Sequence, residues 1–413
     1  MADAVTDWNG VLLEVVQNVG GAPGPISRGG AMMHGAIYDA VNSIMPSGHR
    51  PYLVSIPAAP GASVEAAIAH AAHDTLKAAF PTTTFDLARA RQKALNGINP
   101  AAKAAGEAVG KAAAQAMIAA RTDDGSANNA PYTPGDQPGD YRPTGSGDAV
   151  GPNWPRVKTW AIPTGSSFRP ARPGGFATKP QMLASSEYAA QVADVQRLGR
   201  FDSTERTPEQ EEIAFFWAND LNGTYKPPGQ LCEITQIVSK LKRLTLVENA
   251  RLFALVTIAM ADAGIVAWDA KYETDLDLWR PESAVQLADT DGNPATTADK
   301  DWLPLSIDPA TKKRFTPPFP AYVSGHATFG AAHAAVMRRF FNTDNVTFKA
   351  TTQDPNLKGN VKRTFNSFTA AALENGRSRV YLGVHYQWDA DAGFQSGTAL
   401  GEHVFDNVLT RIG

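Results

Sequence analysis

Apolar residues recur every three or four positions along most of this chain, a spacing that predicts helices rather than strands. Residues 8–44 read as two helices, separated at Gly20-Gly21 and Pro23. The alanine-rich stretches 63–80 and 99–121 continue the pattern, each behind a capping residue, Ser63 and Asn99. Pro100 suits a first helical position, where its missing N–H costs nothing. In "TPEQEEIAFFWANDLNG", Thr207, Pro208 and Gln210 form a capping box with proline at the first helical position. Residues 245–272 read as one long apolar helix, another follows Ser324-Gly325-His326, and helices at 361–381 and 386–411 close the chain. Strict alternation is scarce, no βαβ succession is visible, and no repeat of fixed period occurs. The expected fold is mostly α, built from helical bundles.

Two segments interrupt the pattern. Residues 122–180 hold ten prolines between Pro131 and Pro180, with many Gly and Asp, which marks a linker or a functional covering loop. Tyr132, Tyr141, Trp154, Trp160, Phe168 and Phe176 give it material to pack with, so an ordered wrap is expected. Residues 281–321 form a second Pro/Asp/Gly loop. The expected organisation is an N-terminal helical half, 1–205, containing the wrap at 122–180, and a C-terminal bundle, 206–413, carrying the candidate site.

Composition narrows the function classes. A net charge of −3 over 413 residues gives no field for nucleic acid or an anionic membrane, so an anion site has to come from a few focused cations. Cys232 is the only cysteine, which rules out an intramolecular disulfide and fits a reducing compartment or an exported protein with a large core. No uninterrupted run of 18 apolar residues is found, so no membrane span is expected. "MADAVTDWNG" lacks the basic and apolar regions of a signal peptide, which leaves localisation open, export of a processed chain included.

Three polar segments stand out beside apolar helix. The first, "AWDAKYETDLDLWRPESAV", holds Lys271 and Arg280-Pro281. The second, "PPFPAYVSGHATFGAAHAAV", places Ser324, Gly325 and His326 where a helix begins. The third, "NGRSRVYLGVHYQWDADAG", holds Ser378, Arg379, His385 and Asp389, the last two four apart and on one face if helical. A helix start has free N–H groups and a partial positive charge, and so attracts anions. Two arginines and a lysine add donors suited to a tetrahedral oxyanion. Two histidines can divide the labour between ligand or nucleophile and acid/base. Singly, each feature has a bland reading as cap, helix end or core residue; together and in order they point to a site.

The ordered set resembles the vanadium-dependent haloperoxidases and the phosphatases sharing their fold, bacterial acid phosphatases and type 2 phosphatidic acid phosphatases. The family pattern is a lysine, Arg-Pro, Pro-Ser-Gly-His, then Ser-Arg, five residues, His, three residues and Asp. The third segment matches in full, and the second matches except that Val323 replaces proline. The resemblance covers residues 210–400, and "RGGAMMHGAIYDAVNSI" is similar to the start of bacterial and fungal members. It implies two four-helix bundles and a vanadate cofactor, with Lys271, Arg280, Ser324, the Gly325 N–H and Arg379 on its oxygens. It further implies His385 as the residue bonded to the metal, His326 as acid/base, and Asp389 as a partner orienting His385. Trp268 and Phe319 match aromatics on the halide side, and Asp220 matches an aspartate facing the site arginine or histidine. Hydrogen peroxide, chloride or bromide, and a small organic acceptor would be the partners; a homodimer is compatible with the resemblance.

One departure carries a structural demand. The family spaces its lysine and arginine seven apart, whereas Lys271 and Arg280 are nine apart, and Glu273 stands at the seven-residue position. Nine residues on one helix point to opposite faces, so the helix must break within "ETDLDL" for both cations to converge. Asp275 and Asp277 read as solvated loop charges. The cradle would also hold phosphate, with His385 as nucleophile, so an acid phosphatase is the alternative and a binding protein with a vestigial anion site the third reading. A closed aromatic funnel would favour halide, an open cleft an ester.

Overall fold

A computed structural model describes residues 3–145 and 147–413. In the first half, α1 (Ala4–Val19) and α2 (Pro23–Ile44) part at Gly20 and Gly21, both at positive φ. There follow α3 (Val64–Ala79), α4 (Leu87–Ala94), α5 (Pro100–Arg121), α6 (Lys179–Leu183) and α7 (Ser186–Gly199). The second half holds α8 (Pro208–Ala218), α9 (Lys226–Lys242), α10 (Leu246–Tyr272), α11 (Pro281–Gln286), α12 (Gly325–Phe341), α13 (Phe368–Tyr381) and α14 (Gln387–Asn407). The caps at Ser63, Asn99 and Thr207 form as their chemistry demands.

The mostly α expectation holds. Helices α2, α3 and α5 pack on one another, α10 lies between α2 and α12, and α12 is flanked by α13 and α14. One continuous core runs from Val5 and Trp8 through α10 to Leu400 and Val404. α10 is the long apolar helix expected over 245–272; it has the length and composition to cross a bilayer, and it lies buried among the other helices. α14 approaches α12 closely because Gly393, Gly397 and Gly401 face it; a Cβ at Gly397 would lie 2.3 Å from the Thr328 carbonyl. That contact fixes the start of α12 against the start of α14.

The proline-rich segment is the ordered wrap its aromatics suggested. The Trp160 and Ala161 amides donate to the two oxygens of buried Asp262 on α10, each at 2.8 Å. Arg121 lies over the Trp160 ring, 3.5 Å from its centre, and donates to the Lys158 and Thr159 carbonyls. Further on, the Val150 carbonyl accepts from Trp268 Nε1 and the Tyr272 hydroxyl.

Elsewhere the chain departs from the pattern reading. The expected helix over 361–381 starts only at Phe368; residues Lys362–Phe365 form a strand paired antiparallel with Phe348–Thr351. Arg363 on that strand is held by Glu209, Glu212 and Glu374, and Phe365 packs on Phe216 and Trp217, so tertiary contacts set its conformation. A second pair, Ile307–Asp308 with Lys313–Arg314, is a short hairpin in the 281–321 loop. The last helix stops at Asn407 rather than 411. Helices α4, α6, α7 and α9 were not expected; α9 begins "KPPGQL", whose prolines read as loop.

Candidate functional site

Lys271 sits in the last turn of α10, fully buried. The helix ends one residue later and the chain changes direction, with Asp277 at φ 25°. The backbone of 277–279 then runs between the wrap and the 317–321 loop: Tyr141 N donates to Asp277 O, Trp279 N to Gly139 O, and Ala321 N to Leu278 O. Arg280 emerges as the N-cap of α11, also fully buried. This is the break the nine-residue spacing demanded. Asp275 is a solvated charge paired with Arg172, but Asp277 corrects its reading. It is half-buried, accepting from the Lys179 ammonium at 2.5 Å and the Tyr132 hydroxyl at 2.9 Å.

The two cations are used differently. The Lys271 ammonium donates to the Pro320, Ala321 and Val323 carbonyls at 2.6, 3.1 and 2.5 Å, which occupies all three of its protons. It therefore braces the loop leading into α12 and reaches the site through its charge. Burial depresses its pKa, with Arg280 adding to the effect and Asp389 opposing it. Arg280 donates from Nε to Phe319 O at 2.6 Å, and from Nη1 to Val384 O at 2.6 Å and His385 Nε2 at 3.0 Å. Its Nη2 has no partner.

His385 lies in the turn joining α13 to α14. Its Nδ1 is 2.8 Å from Asp389 Oδ2, which also accepts from the Tyr386 amide. A guanidinium can only donate, so Nε2 is the acceptor of the Arg280 contact and the ring proton sits on Nδ1. Burial, then Arg280, Lys271 and Arg379, push the imidazole pKa well below its ordinary value, so the ring is neutral and its one lone pair, on Nε2, is taken up by Arg280 Nη1. Burial pushes the Asp389 carboxyl up to about 7 against the opposing pull of Lys271.

Arg379, on α13, donates from Nη2 to Asp220 Oδ2 at 2.7 Å, while its Nε and Nη1 have no partner. Burial would raise the Asp220 pKa, but Arg379, His326 and Lys226 together bring it below the usual value. Ser324 caps α12, its oxygen 3.4 Å from the Ala327 amide, and its own amide donates to Asp389 O. His326 Nε2 lies 3.1 Å from both the Trp217 and Ala218 carbonyls, which places the proton on Nε2 and leaves Nδ1 as the basic nitrogen. Burial, then Arg379, hold its pKa down to about 4.

A cavity of about 260 Å³ joins these groups. His385, His326, Arg379, Asp220 and Gly325 form its polar end, with Trp268 and Phe319, ring centres 4.9 Å apart, beside them. Lys271, Arg280 and Ser324 are wholly buried, the two cations lying 5.1 and 4.7 Å from the Phe319 ring centre. The residues that the resemblance assigned to the oxyanion and halide sides thus fall in this one region, whereas Asp275 and Asp277 do not. Lys226 and Asn222, which also line the cavity, were missed; no spacing or motif marks them.

The donors present suit an anion. Arg280 Nη2 and Arg379 Nε and Nη1 are buried N–H groups without acceptors, each costing about 1–3 kcal/mol when unsatisfied. No cluster of three His, Cys, Asp or Glu occurs among the described residues, so the arrangement fits an oxyanion held through one imidazole rather than a bare metal ion.

Residues 251–413 match the family model of the VCPO second helical-bundle domain. The vanadium chloroperoxidase of Curvularia inaequalis is 30% identical, over 52% of this chain and 43% of its own length, so the chain spans less than half of that relative. In fold, the first bacterial vanadium-dependent iodoperoxidase superposes with a TM-score of 0.80 at 23% identity, covering 99% of this chain and 96% of that one. A holo-type bacterial vanadium-dependent chloroperoxidase gives 0.71 at 17% identity, covering 95% and 93%.

Proposed function

From a chain whose motifs, family match and fold all resemble the vanadium-dependent haloperoxidases, we propose a vanadate-dependent haloperoxidase. It oxidises chloride or bromide with hydrogen peroxide to hypohalous acid, which halogenates a small organic acceptor. The observation that carries this reading is the set of orphaned guanidinium donors around a neutral His385 Nε2.

Vanadate, when bound, supplies a Lewis acid that polarises peroxide without changing oxidation state. His385 would hold it through Nε2 once Arg280 Nη1 gives up that nitrogen, with Asp389 fixing the ring by its Nδ1–H. Arg280 Nη2 and Arg379 Nε and Nη1 satisfy its oxygens, joined by the Ser324 hydroxyl and the Gly325 amide at the mouth of α12. Lys271 adds positive charge from behind, offsetting the cost of bringing an anion into a buried site. His326, with Nδ1 free as its basic nitrogen, would serve as the acid/base, taking a proton from hydrogen peroxide there. Its depressed pKa rises when the bound anion places negative charge beside the ring. Trp268 and Phe319 give a weakly hydrated halide a dry wall. The C-terminal region, 206–413, supplies the cradle, and the N-terminal region, 1–205, closes the cavity through Gly21, Ala22, Pro23 and Val150.

The test is incubation with vanadate, peroxide and either chloride or bromide, scoring halogenation of a diketone, beside a phosphomonoester assay without vanadate. Vanadate-dependent halogenation is expected. Ester hydrolysis with no halogenation would make the chain a phosphatase acting through His385.

A further inference from the structure

Lys226 lines the same cavity, next to Asp220, and the reading above leaves it without a task. It is 6% exposed, lines the cavity, and its ammonium donates to the Asp220 backbone carbonyl rather than to a carboxylate. The other cation lining the cavity, Arg379, is committed to the Asp220 carboxylate and, by its orphaned donors, to the oxyanion. Lys226 therefore keeps two ammonium protons without a partner, its charge only partly offset by the Asp220 carboxylate nearby. Its backbone has φ 59°, an uncommon value for a long side chain, held where α9 begins. The next two residues are Pro227 and Pro228, which have no N–H to offer, so positive potential at this end comes from the lysine itself. Much of the surrounding surface is apolar: Trp268, Phe319, Pro227, Pro317 and Phe315.

We propose that Lys226 is the residue that draws the halide into the cavity, binding the anion between its ammonium and the Trp268–Phe319 wall. This rests on the haloperoxidase reading. A cation in a low-dielectric cleft concentrates small anions there by tenfold or more, about the effect expected of one charge. A singly charged halide, having little hydration to lose, exploits both the charge and the aromatic surface. The cradle offers its donors to oxygens and stays free for the cofactor.

The test uses Lys226→Gln and Lys226→Arg in the full chain. In the glutamine variant the halide KM rises about tenfold, with kcat falling far less and vanadate affinity held, and added inert salt no longer raises KM as it does in the parent. Arginine restores the KM. A second readout needs no cofactor: iodide quenching of Trp268 fluorescence, taken as the difference from Trp268→Phe, weakens in Lys226→Gln. Unchanged halide KM together with unchanged quenching overturns the proposal. So does vanadate affinity falling in step with the KM, which would place Lys226 in the cradle. If the parent protein oxidises no halide, the haloperoxidase reading fails, and the quenching alone then decides whether Lys226 attracts anions.

Discussion

Two buried polar regions of this protein obey opposite rules. Away from the site, Asp39 accepts from the Tyr52, Leu53 and Val54 amides at 2.6–3.1 Å, and Asp262 on α10 accepts from the Trp160 and Ala161 amides of the wrap. These carboxylates tie loop segments to the core, and their oxygens are satisfied from within the chain. Around His385, three cations crowd one imidazole, and the guanidinium donors outnumber the acceptors. Buried charge matched inside the chain is architecture; buried charge with donors left over is waiting for a ligand.

The largest effect belongs to the ligand. His385→Ala should lose vanadate affinity by more than about a hundredfold, since weakening a mere orienting partner of a metal ligand already costs 10–100-fold. Asp389→Asn, which leaves the ligand but alters its orienting partner, should fall within that smaller range. His326→Ala should retain vanadate while turnover drops by about 10²–10⁴. Metal retained after gel filtration separates the cases, and undiminished retention in His385→Ala would show the wrong ligand has been assigned.

Stability should then respond differently in the two regions. Asp262→Ala strands two buried amides and should destabilise by about 2 kcal/mol in urea unfolding. Arg280→Met removes a buried cation with one orphaned nitrogen but also strands the Phe319 and Val384 carbonyls, so these effects offset and the vanadate-free protein should change by no more than about 1 kcal/mol. Conversely, vanadate at a hundred times its Kd should stabilise the parent by about 2.7 kcal/mol and Arg280→Met by far less. Equal destabilisation by both substitutions would erase the distinction.

The cradle was legible because its residues fall in three short segments whose chemistry is visible without a fold. The sequence also posed the Lys271–Arg280 problem, and the break after Tyr272 answers it. What stayed hidden depended on distant partners. That all three Lys271 protons serve the 320–323 loop follows from how that loop folds back on α10. The strand at 362–365 exists because three glutamates from α8 and α13 capture Arg363. Lys226 enters the cavity through a left-handed turn ahead of two prolines, a geometry that helical periodicity cannot express.

The smallest effect is one of pH, and it tests whether the Asp262 tie works as a strained anion or a relaxed one. Burial raises the Asp262 carboxyl to about 6, against 3.8 for an ordinary aspartate, despite the amides that favour its ionised form. Between those values the folded protein holds a proton that the unfolded chain releases. By linkage, this group's contribution therefore increases as pH falls from 6 towards 4, and is lost as pH rises through 6. Neutral buried His326, at about 4, works the other way over the window from 6.5 to 4, so total stability alone is uninformative. The difference between the parent and Asp262→Asn isolates the carboxyl. That difference should be larger at pH 4.5 than at pH 7, with a slope of no more than about 1.4 kcal/mol per pH unit. A gap that narrows on acidification would mean the carboxylate is fully stabilised by its two amides and carries no desolvation strain.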